Sequence, residues 1–504
     1  MKKEGERAPR EAGVLLHISS LPGRYGIGTL GKEARRFVDF LAAAGMRRWQ
    51  VLPLVQTGYG DSPYQSVFGG SGNPYFIDPD TLAEEGLLKK SELSSCAYAA
   101  GRVDYGFLYG RKYALLRRAF SRFDCADASF RAFEEEGSFR DYALYMALKT
   151  AHGNQSFDRW EKKYRFRDPA ALEEFLRENG AEYRFWLFVQ YEFSRQWQTL
   201  KEYAHARGVR IVGDLPLYVA YDSADVWANP HLFKLNKNLT CRKVAGVPPD
   251  YFSATGQLWG NPVYDWKVHE EEGFAWWIDR IRRAFALYDT VRIDHFRGFD
   301  RYYEIAAGSE TAIGGRWRKG PGMKLFSAAE RALGRLEFIA EDLGTIDDGV
   351  RRLIKRSGYP SMKVLEFAFD GDPNNAYLPK NIGENSVTYT GTHDNDTLVG
   401  YLSSLPAWEY ERLTGILKPL LKEAGIAQRP AGVKSTARAI ARLALSVRSA
   451  LAVLPVQDIL LSGAETRMNV PSTSGENWQF RLRRIPSAAC AARLRAALRE
   501  AGRL

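Results

Sequence analysis

Cysteines and long apolar runs are scarce in this sequence. Its 504 residues include four cysteines, which lie far apart, form no C-x-x-C pair and have no histidine at ligand spacing around them. We therefore expect free thiols rather than a disulfide framework or a zinc site. No run of about 18 apolar residues occurs, and the apolar run after the polar N-terminus is too short for a secretory signal. These absences predict a cytoplasmic protein without a membrane segment.

Signatures of nucleotide or nucleic-acid binding are also weak. The sequence has no P-loop, no Gly-x-Gly-x-x-Gly turn after a strand and no metal-binding cluster. The formal net charge is +11, but Lys and Arg are spread along the chain and stand mostly among acids. A nucleic-acid binder would concentrate these residues in a patch or stripe. The composition, 45% hydrophobic and 26% charged, is that of an ordinary globular protein.

Short apolar or β-branched runs alternate with longer helical patterns, which is typical of βα units around a parallel sheet. Eight such runs fit an α/β fold of the (β/α)8 TIM-barrel type, whose active site lies at the carboxyl ends of its strands. We treat residues 1–504 as one catalytic barrel domain. The runs are residues 13–18, 48–53, 209–214, 291–294, 338–341, 362–367, 387–390 and 451–455.

The spacing of the runs is uneven, since roughly 155 residues separate the second from the third. We predict an insertion at 56–208 that contains a helical subdomain at about 105–207. The aromatic residues of that subdomain are read as its own core rather than as a platform for stacking sugars. They are Phe185, Trp186, Phe188, Tyr191, Phe193 and Trp197. A second irregular stretch, residues 246–262, resembles a lid-like loop beside the active site.

Three carboxylates stand at the ends of predicted strands. Residues two apart on a strand share a face, so Arg292 should project beside Asp294 and hold it ionised, which suits a nucleophile. The apolar residues before Glu341 should raise its pKa, which suits a general acid. The sequence pattern does not choose between Glu341 and its neighbour Asp342. Asp394 could stabilise an oxocarbenium-like transition state, so the three acids together suggest glycoside chemistry.

Other residues could contact a sugar. His393 could donate a hydrogen bond beside Asp394, and Asp214 could either touch substrate or be a buried structural acid. Tyr59 and Trp259 stand in polar, glycine-rich surroundings, where stacking on a pyranose ring is plausible.

Taken together, the motifs resemble those of the amylomaltases, which are 4-alpha-glucanotransferases related to the alpha-amylase superfamily. The resemblance runs nearly from end to end of the chain. The motifs that carry it are His17-Ile-Ser-Ser-Leu-Pro22, Tyr25-Gly-Ile-Gly28, Trp49-Gln-Val-Leu-Pro53, Gly58-Tyr-Gly-Asp-Ser-Pro-Tyr-Gln65, Gly213-Asp-Leu-Pro216, Gly256-Gln-Leu-Trp-Gly-Asn-Pro262, Arg292-Ile-Asp-His-Phe-Arg-Gly298, Ala340-Glu-Asp-Leu-Gly344, Gly391-Thr-His-Asp-Asn-Asp396 and Gln457-Asp458.

The resemblance implies a role for each acid. Asp294 would be the nucleophile, Glu341 rather than Asp342 the general acid/base, and Asp394 the transition-state stabiliser. The residues implied in glucan binding are Tyr59, Asp214, Trp259, Arg292, His295, His393 and Asn469. The resemblance also implies a barrel with inserted subdomains and no cofactor. The expected partners are alpha-1,4-glucans such as maltooligosaccharides, amylose, glycogen or starch, with glucose or another glucan as acceptor.

Two short segments depart from the family pattern. Pro471-Ser-Thr473 and Glu476-Asn-Trp478 stand where the family tends to show Pro-Gly-Thr and Gly-Asn-Trp, which bears on acceptor preference.

Three other interpretations are a hydrolase with the same acids, a glucan-binding scaffold without catalysis, and a nucleic-acid binder. The three acids at strand ends count against a scaffold without catalytic activity. The sequence does not indicate chain-length preference, cyclic products, oligomeric state or pathway.

Overall fold

The computed structural model describes residues 9–58, 60–98, 101–249, 253–344, 346–473 and 475–504. The strands are β1 (Glu11–Leu15), β2 (Arg48–Gln50), β3 (Arg210–Leu215), β4 (Lys243–Val247), β5 (Gln257–Pro262), β6 (Thr290–Ile293), β7 (Arg301–Ala306), β8 (Arg316–Lys319), β9 (Phe338–Ala340), β10 (Ser361–Val364), β11 (Ser386–Tyr389) and β12 (Leu451–Pro455). The helices are α1 (Lys32–Ala44), α2 (Pro79–Glu84), α3 (Tyr105–Phe120), α4 (Ala128–Glu136), α5 (Arg140–Ala151), α6 (Lys162–Arg165), α7 (Pro169–His205), α8 (Ala224–Ala228), α9 (Trp266–Glu271), α10 (Ala275–Leu287), α11 (Met323–Leu333), α12 (Asp348–Ser357), α13 (Leu398–Ser404), α14 (Ala407–Glu423), α15 (Val433–Ser446), α16 (Val456–Leu460) and α17 (Ala488–Glu500).

Eight parallel strands close into a barrel in the order β1, β12, β11, β10, β9, β6, β3, β2. Each of the eight runs predicted from the sequence contains all or most of one barrel strand, so the (β/α)8 fold is confirmed. The strands are short and apolar because a barrel strand is covered on both faces, by the interior and by the outer helices. In β6, β11 and β12 every residue is buried.

The register of three neighbouring strands positions the candidate site. Asp214 on β3 pairs with Arg292 on β6, and Ile293 on β6 pairs with Ala340 on β9. Asp294 and Glu341 are the next residues along these two strands. They therefore leave the same end of the barrel from neighbouring strands, which lie about 4.8 Å apart in a sheet.

Helices α2 to α7 lie between β2 and β3, within the predicted insertion. The longest, α7, begins with Asp168 capping the amide of Ala171 and with Pro169 at its first position. Of the six aromatic residues predicted as core, five are buried and Tyr191 is partly buried. They belong to one hydrophobic core that continues into the barrel, so the expectation of a separate core is corrected. The boundaries 56–208 and 105–207 stay predictions of domain organisation.

A smaller antiparallel sheet stands beside the barrel in the order β5, β4, β7, β8. It corrects the expectation for residues 246–262, which were predicted to form an irregular loop. The described part of that stretch includes the end of β4 and all of β5, which pair with each other. Residues 250–252 lie outside the described residues. The sheet holds Trp259 on a strand rather than on a loose loop.

The four cysteines are free, as predicted. Cys96 and Cys490 are buried, and Cys125 and Cys241 are partly buried. Among the described residues, none of the helices combines the length and the apolar character that a membrane crossing requires.

Candidate active site

Arg292 lies between two carboxylates at the carboxyl ends of β3 and β6. Its Nη1 donates to both oxygens of Asp214, at 2.9 and 2.7 Å, and to Asp294 Oδ1 at 3.1 Å. Arg292 and Asp214 are both buried, whereas the side chain of Asp294 is 30% exposed. The predicted Arg292–Asp294 pair is thus confirmed. Asp214, left open by the sequence, is the closer partner of the arginine.

The protonation of Asp294 differs from expectation. Arg292 lowers the pKa of Asp294, but burial, with Asp214, Glu341 and Asp394 nearby, outweighs it and raises that pKa to about 8. The expectation that the Arg292 guanidinium holds Asp294 ionised is therefore wrong. The main physical reason is burial, which penalises the charged carboxylate, and the nearby carboxylates of Asp214, Glu341 and Asp394 add to it.

Glu341 is held by backbone donors. The amides of His295 and Leu343 donate to its two carboxylate oxygens at 2.7 and 2.8 Å. Burial raises the pKa of Glu341, against the lowering effects of Arg292 and of these two amides. The direction agrees with the expectation for a general acid. Glu341 is also one of the groups that raise the pKa of Asp294.

Asp342, the neighbour of Glu341, makes a different set of contacts. The amide of Met362 donates to Asp342 Oδ1 at 2.8 Å, and Lys363 Nζ lies 3.2 Å from Oδ2. Both oxygens are engaged by β10, the neighbouring strand. Asp342 therefore joins β9 to β10, and it is buried and paired with a lysine, whereas Glu341 is partly exposed.

Asp394 follows β11 and is held by a segment near the C-terminus. Asn469 Nδ2 donates to Asp394 Oδ1 at 2.6 Å, and Arg467 donates to the carbonyl of Asp394 at 2.6 Å. The amide of Asn469 also donates to the carbonyl of His393 at 3.1 Å. The side chain of Asp394 remains 45% exposed. This carboxylate is thus fixed in place and still accessible.

Two histidines border the acids. His393 Nε2 lies 3.4 Å from Asp394 Oδ1, and burial lowers the pKa of His393. Burial also lowers the pKa of His295, to about 3, so both rings are neutral near pH 7. His295 has a left-handed backbone (φ 49°), which is rare for a residue other than glycine. That turn aims its amide at Glu341, whereas its ring meets Trp259 edge-on at 4.9 Å.

The predicted site residues with described positions lie at this end of the barrel. Tyr59, also predicted to bind glucan, lies outside the described residues. Within the described ranges, no group of three or more His, Cys, Asp or Glu side chains could hold a metal ion.

Three further residues complete the surroundings of the acids but were not assigned from the sequence. Tyr64 donates from its hydroxyl to Asp214 Oδ2 at 2.8 Å and stacks on His393. Trp478 lies against both of those rings, and Arg467 fixes the loop of Asp394. Tyr64 could have been found, because it lies in the same glycine-rich motif as Tyr59. Arg467 carried no local signal.

Comparison with known proteins agrees with this arrangement. The family model described as 4-alpha-glucanotransferase matches residues 16–487. The 4-alpha-glucanotransferase of Thermus thermophilus is 47% identical over 94% of this chain and 95% of its own length. That of Clostridium butyricum is 44% identical over 92% and 95%, respectively.

A solved structure, amylomaltase from Streptococcus agalactiae in complex with acarbose, superposes with a TM-score of 0.91 at 38% identity and covers 97% of this chain and 98% of that one. Amylomaltase from Corynebacterium glutamicum, at 19% identity and a TM-score of 0.81, shares the fold and covers 98% and 75%. This chain therefore belongs to the 4-alpha-glucanotransferases of glycoside hydrolase family 77, which are transferase-type enzymes.

Proposed function

We propose that this 4-alpha-glucanotransferase works by a retaining double displacement through a glucosyl ester on Asp294. The observation that carries the proposal is the placement of Asp294 and Glu341 directly after register partners on neighbouring parallel strands. In retaining enzymes the two carboxyl groups stand about 5 to 5.5 Å apart, whereas inverting enzymes leave room for a water between them. Neighbouring strand ends favour the shorter separation.

In the first step, a carboxylate oxygen of Asp294 attacks the anomeric carbon of an alpha-1,4-glucan. The bond to the 4-oxygen of the leaving chain breaks, and Glu341 gives its proton to that oxygen. The donor part of the glucan is then held as an ester, and the shortened glucan leaves with a free 4-hydroxyl.

In the second step, ionised Glu341 removes the proton from the 4-hydroxyl of an acceptor glucan or glucose. The acceptor oxygen attacks the same anomeric carbon, and Asp294 leaves as a carboxylate. Asp394 stabilises the positive charge that develops on the sugar ring in both steps. Each cycle starts with Glu341 protonated and Asp294 ionised. Loss of the Glu341 proton, or protonation of Asp294, should therefore stop the reaction.

Transfer to a sugar competes with hydrolysis of the ester, and water is the more abundant nucleophile. A bound acceptor wins when water is excluded and its hydroxyl is oriented, which can contribute about 7 kcal/mol or more in favourable cases. The described part of 246–262 is suited to excluding water from the acids. Trp259 on β5 contacts the ring of His295, and the amide of His295 donates to Glu341. The proposed glucan-binding residues are Tyr59, Asp214, Trp259, Arg292, His295, His393 and Asn469, of which Tyr59 lies outside the described residues.

Incubation with maltotriose tests whether transfer to a sugar outruns hydrolysis of the ester. We expect glucose together with a ladder of longer maltooligosaccharides, while the number of reducing ends stays nearly constant. A steady rise in reducing ends without products longer than maltotriose would instead indicate a hydrolase.

A further inference from the structure

The motif Gln457-Asp458 lies on the short helix α16, directly after barrel strand β12. It is therefore at the same end of the barrel as four carboxylates that we call the acid cluster: Asp214, Asp294, Glu341 and Asp394. Both side chains of the motif are buried, with Asp458 2% exposed and Gln457 9% exposed. A buried carboxylate or amide is stable only when hydrogen bonds satisfy it. The partners of the two side chains therefore indicate what they do.

Asp458 joins the two ends of the loop that carries Asp394. Its Oδ2 accepts from Thr390 Oγ1 at 2.5 Å, and its Oδ1 accepts from the amide of Leu398 at 2.8 Å. Thr390 directly follows β11, and Leu398 is the first residue of α13. One carboxylate thus bridges the residues on either side of segment 391–397, which we call the Asp394 loop. Asp394 lies at the centre of that loop.

Gln457 holds the second segment that meets Asp394. Its Nε2 donates to the carbonyl of Thr466 at 3.1 Å. Thr466 directly precedes Arg467, whose side chain donates to the carbonyl of Asp394, and Asn469 follows and donates to the carboxylate. Two adjacent residues of α16 therefore anchor both the Asp394 loop and segment 466–469.

The Asp394 loop, α16 and segment 466–469 border a cavity rather than a solid core. Its volume is about 440 Å³, solvent-open space included, and its lining includes Asn395, Asp458 and Arg467. Side chains beside a cavity have fewer neighbours that could fix them by packing. The hydrogen bonds of Gln457 and Asp458 therefore contribute more to the placement of the Asp394 loop than they would in a solid core.

We propose that Gln457 and Asp458 are positioning residues that set where the Asp394 carboxylate stands relative to the sugar ring. The proposal rests on the proposed role of Asp394 as transition-state stabiliser. Asp458 acts through the Asp394 loop and Gln457 through segment 466–469, and neither acts on the sugar. Stabilisation of a developing charge depends on placement, so a shift of about 1 Å can cost about 100-fold in rate. We therefore expect their loss to lower kcat more than glucan binding.

The first test compares kcat and KM for maltotriose transfer in Asp458→Ala and Asp78→Ala. Asp78 is the matched control, because this buried aspartate also accepts from a threonine hydroxyl, that of Thr29, and from a helix amide, that of Thr81. Both contacts lie outside the acid cluster. We expect kcat to fall at least about 30-fold in Asp458→Ala and less than about twofold in Asp78→Ala, with KM changed less than about threefold in both. Each variant is assayed well below its melting temperature, so that folded enzymes are compared.

Two substitutions of Thr390 keep the test decisive if Asp458→Ala does not fold. Valine has nearly the shape of threonine without the hydroxyl, whereas serine keeps the hydroxyl that donates to Asp458. We expect Thr390→Val to lower kcat at least about fivefold and Thr390→Ser to stay within about twofold of the unaltered enzyme. Equal kcat in these two variants would overturn the role of Asp458.

Gln457→Met tests the second anchor, because it removes the donor to Thr466 and keeps the length of the side chain. We expect kcat to fall at least about fivefold in the unaltered enzyme but less than about twofold in an Asn469→Ala background, where segment 466–469 no longer holds the Asp394 carboxylate. Equal factors in the two backgrounds would show that Gln457 does not act through Asp394.

The proposal as a whole would be overturned if Asp458→Ala and Asp78→Ala lost kcat equally, or if the loss in Asp458→Ala were confined to KM. Two other results would instead overturn the proposed function. They are absence of transfer by the unaltered enzyme and full activity of Asp394→Asn.

Discussion

Asp214 and Arg292 face each other in register across β3 and β6, and Arg292 Nη1 lies within 2.9 Å of both Asp214 oxygens. Arg292 therefore pairs with two carboxylates, and its contact with Asp294, at 3.1 Å, is the longer one. Asp294 keeps a raised pKa even though a guanidinium is beside it. This relationship has consequences for the pH dependence of activity and for stability.

Asp214→Asn should move the acid limb of the kcat/KM profile to lower pH by about one unit. The substitution removes a negative charge that raises the pKa of Asp294, and it frees Arg292 for Asp294. Asp294 then stays ionised at lower pH, so activity persists further into the acid range. Asp222→Asn is the control, since Asp222 also bonds a tyrosine and a cation but lies outside the acid cluster. An acid limb that moves upward would contradict the charge sharing described here.

Asp294→Asn should abolish transfer, by at least about 10⁴-fold in kcat, because the nucleophile is lost. The fold should survive, and the melting temperature should rise at pH 8 to 9. A carboxyl with a raised pKa binds its proton more tightly in the folded chain. Its contribution to stability therefore falls as the pH rises from about 4, the pKa of an aspartate in the unfolded chain, to about 8, the pKa of Asp294 in the folded chain.

Calorimetry across that pH range checks the stability part of this prediction. The rise in melting temperature of Asp294→Asn over the unaltered enzyme should shrink toward pH 4. There Asp294 is protonated in the folded chain and no longer destabilises it. A variant that melts at lower temperature at every pH would show that Asp294 supports the fold instead.

Glu341→Gln should slow transfer from maltotriose severely but spare the first step with a glycosyl fluoride donor. Fluoride leaves with little protonation, so the missing proton matters less for that donor. Rates of fluoride release and of maltotriose consumption, measured on the same preparation, give the comparison. Equal losses on both donors would remove Glu341 from the acid role. Asp342→Asn should instead lower stability, because it removes the carboxylate charge that pairs with Lys363 at 3.2 Å.

Asn469→Ala should lower kcat by about 10- to 100-fold, since a hydrogen bond to a charged group contributes about 1.5 to 3 kcal/mol. Asn469 holds Asp394 Oδ1 at 2.6 Å, so its loss should affect the transition state more than glucan binding. Asn477→Ala is the companion variant, because Asn477 braces the same loop through Val470 and Thr473 without contacting Asp394. An equal loss of kcat in both variants would mean that loop order, and not the bond to Asp394, is responsible.

The barrel strands and the acids could be predicted because each is encoded locally. A fully buried strand reads as a short apolar run, and a carboxylate that ends such a run marks the catalytic end of a barrel. The pairing of Arg292 with Asp294 followed from their two-residue spacing.

Contacts between distant segments were not predictable from local patterns. Asp214 meets Arg292 across 78 positions, and Asn469 meets Asp394 across 75. The pKa of Asp294 depends on its burial and on the other carboxylates around Arg292, and only the assembled barrel determines both. For residues 246–262, glycine and proline suggested a loop, but pairing between β4, β5 and β7 prevailed over that local signal.

The most direct test of the covalent mechanism is mass spectrometry of Glu341→Gln after brief incubation with a maltosyl fluoride and an acid quench. The ester should accumulate, because ionised Glu341 is no longer present to activate an acceptor for the second step. We predict one maltosyl unit on the tryptic peptide 293–297, attached to Asp294. Fluoride release with no adduct, or an adduct on another peptide, would contradict the central claim that the glucan is carried on Asp294.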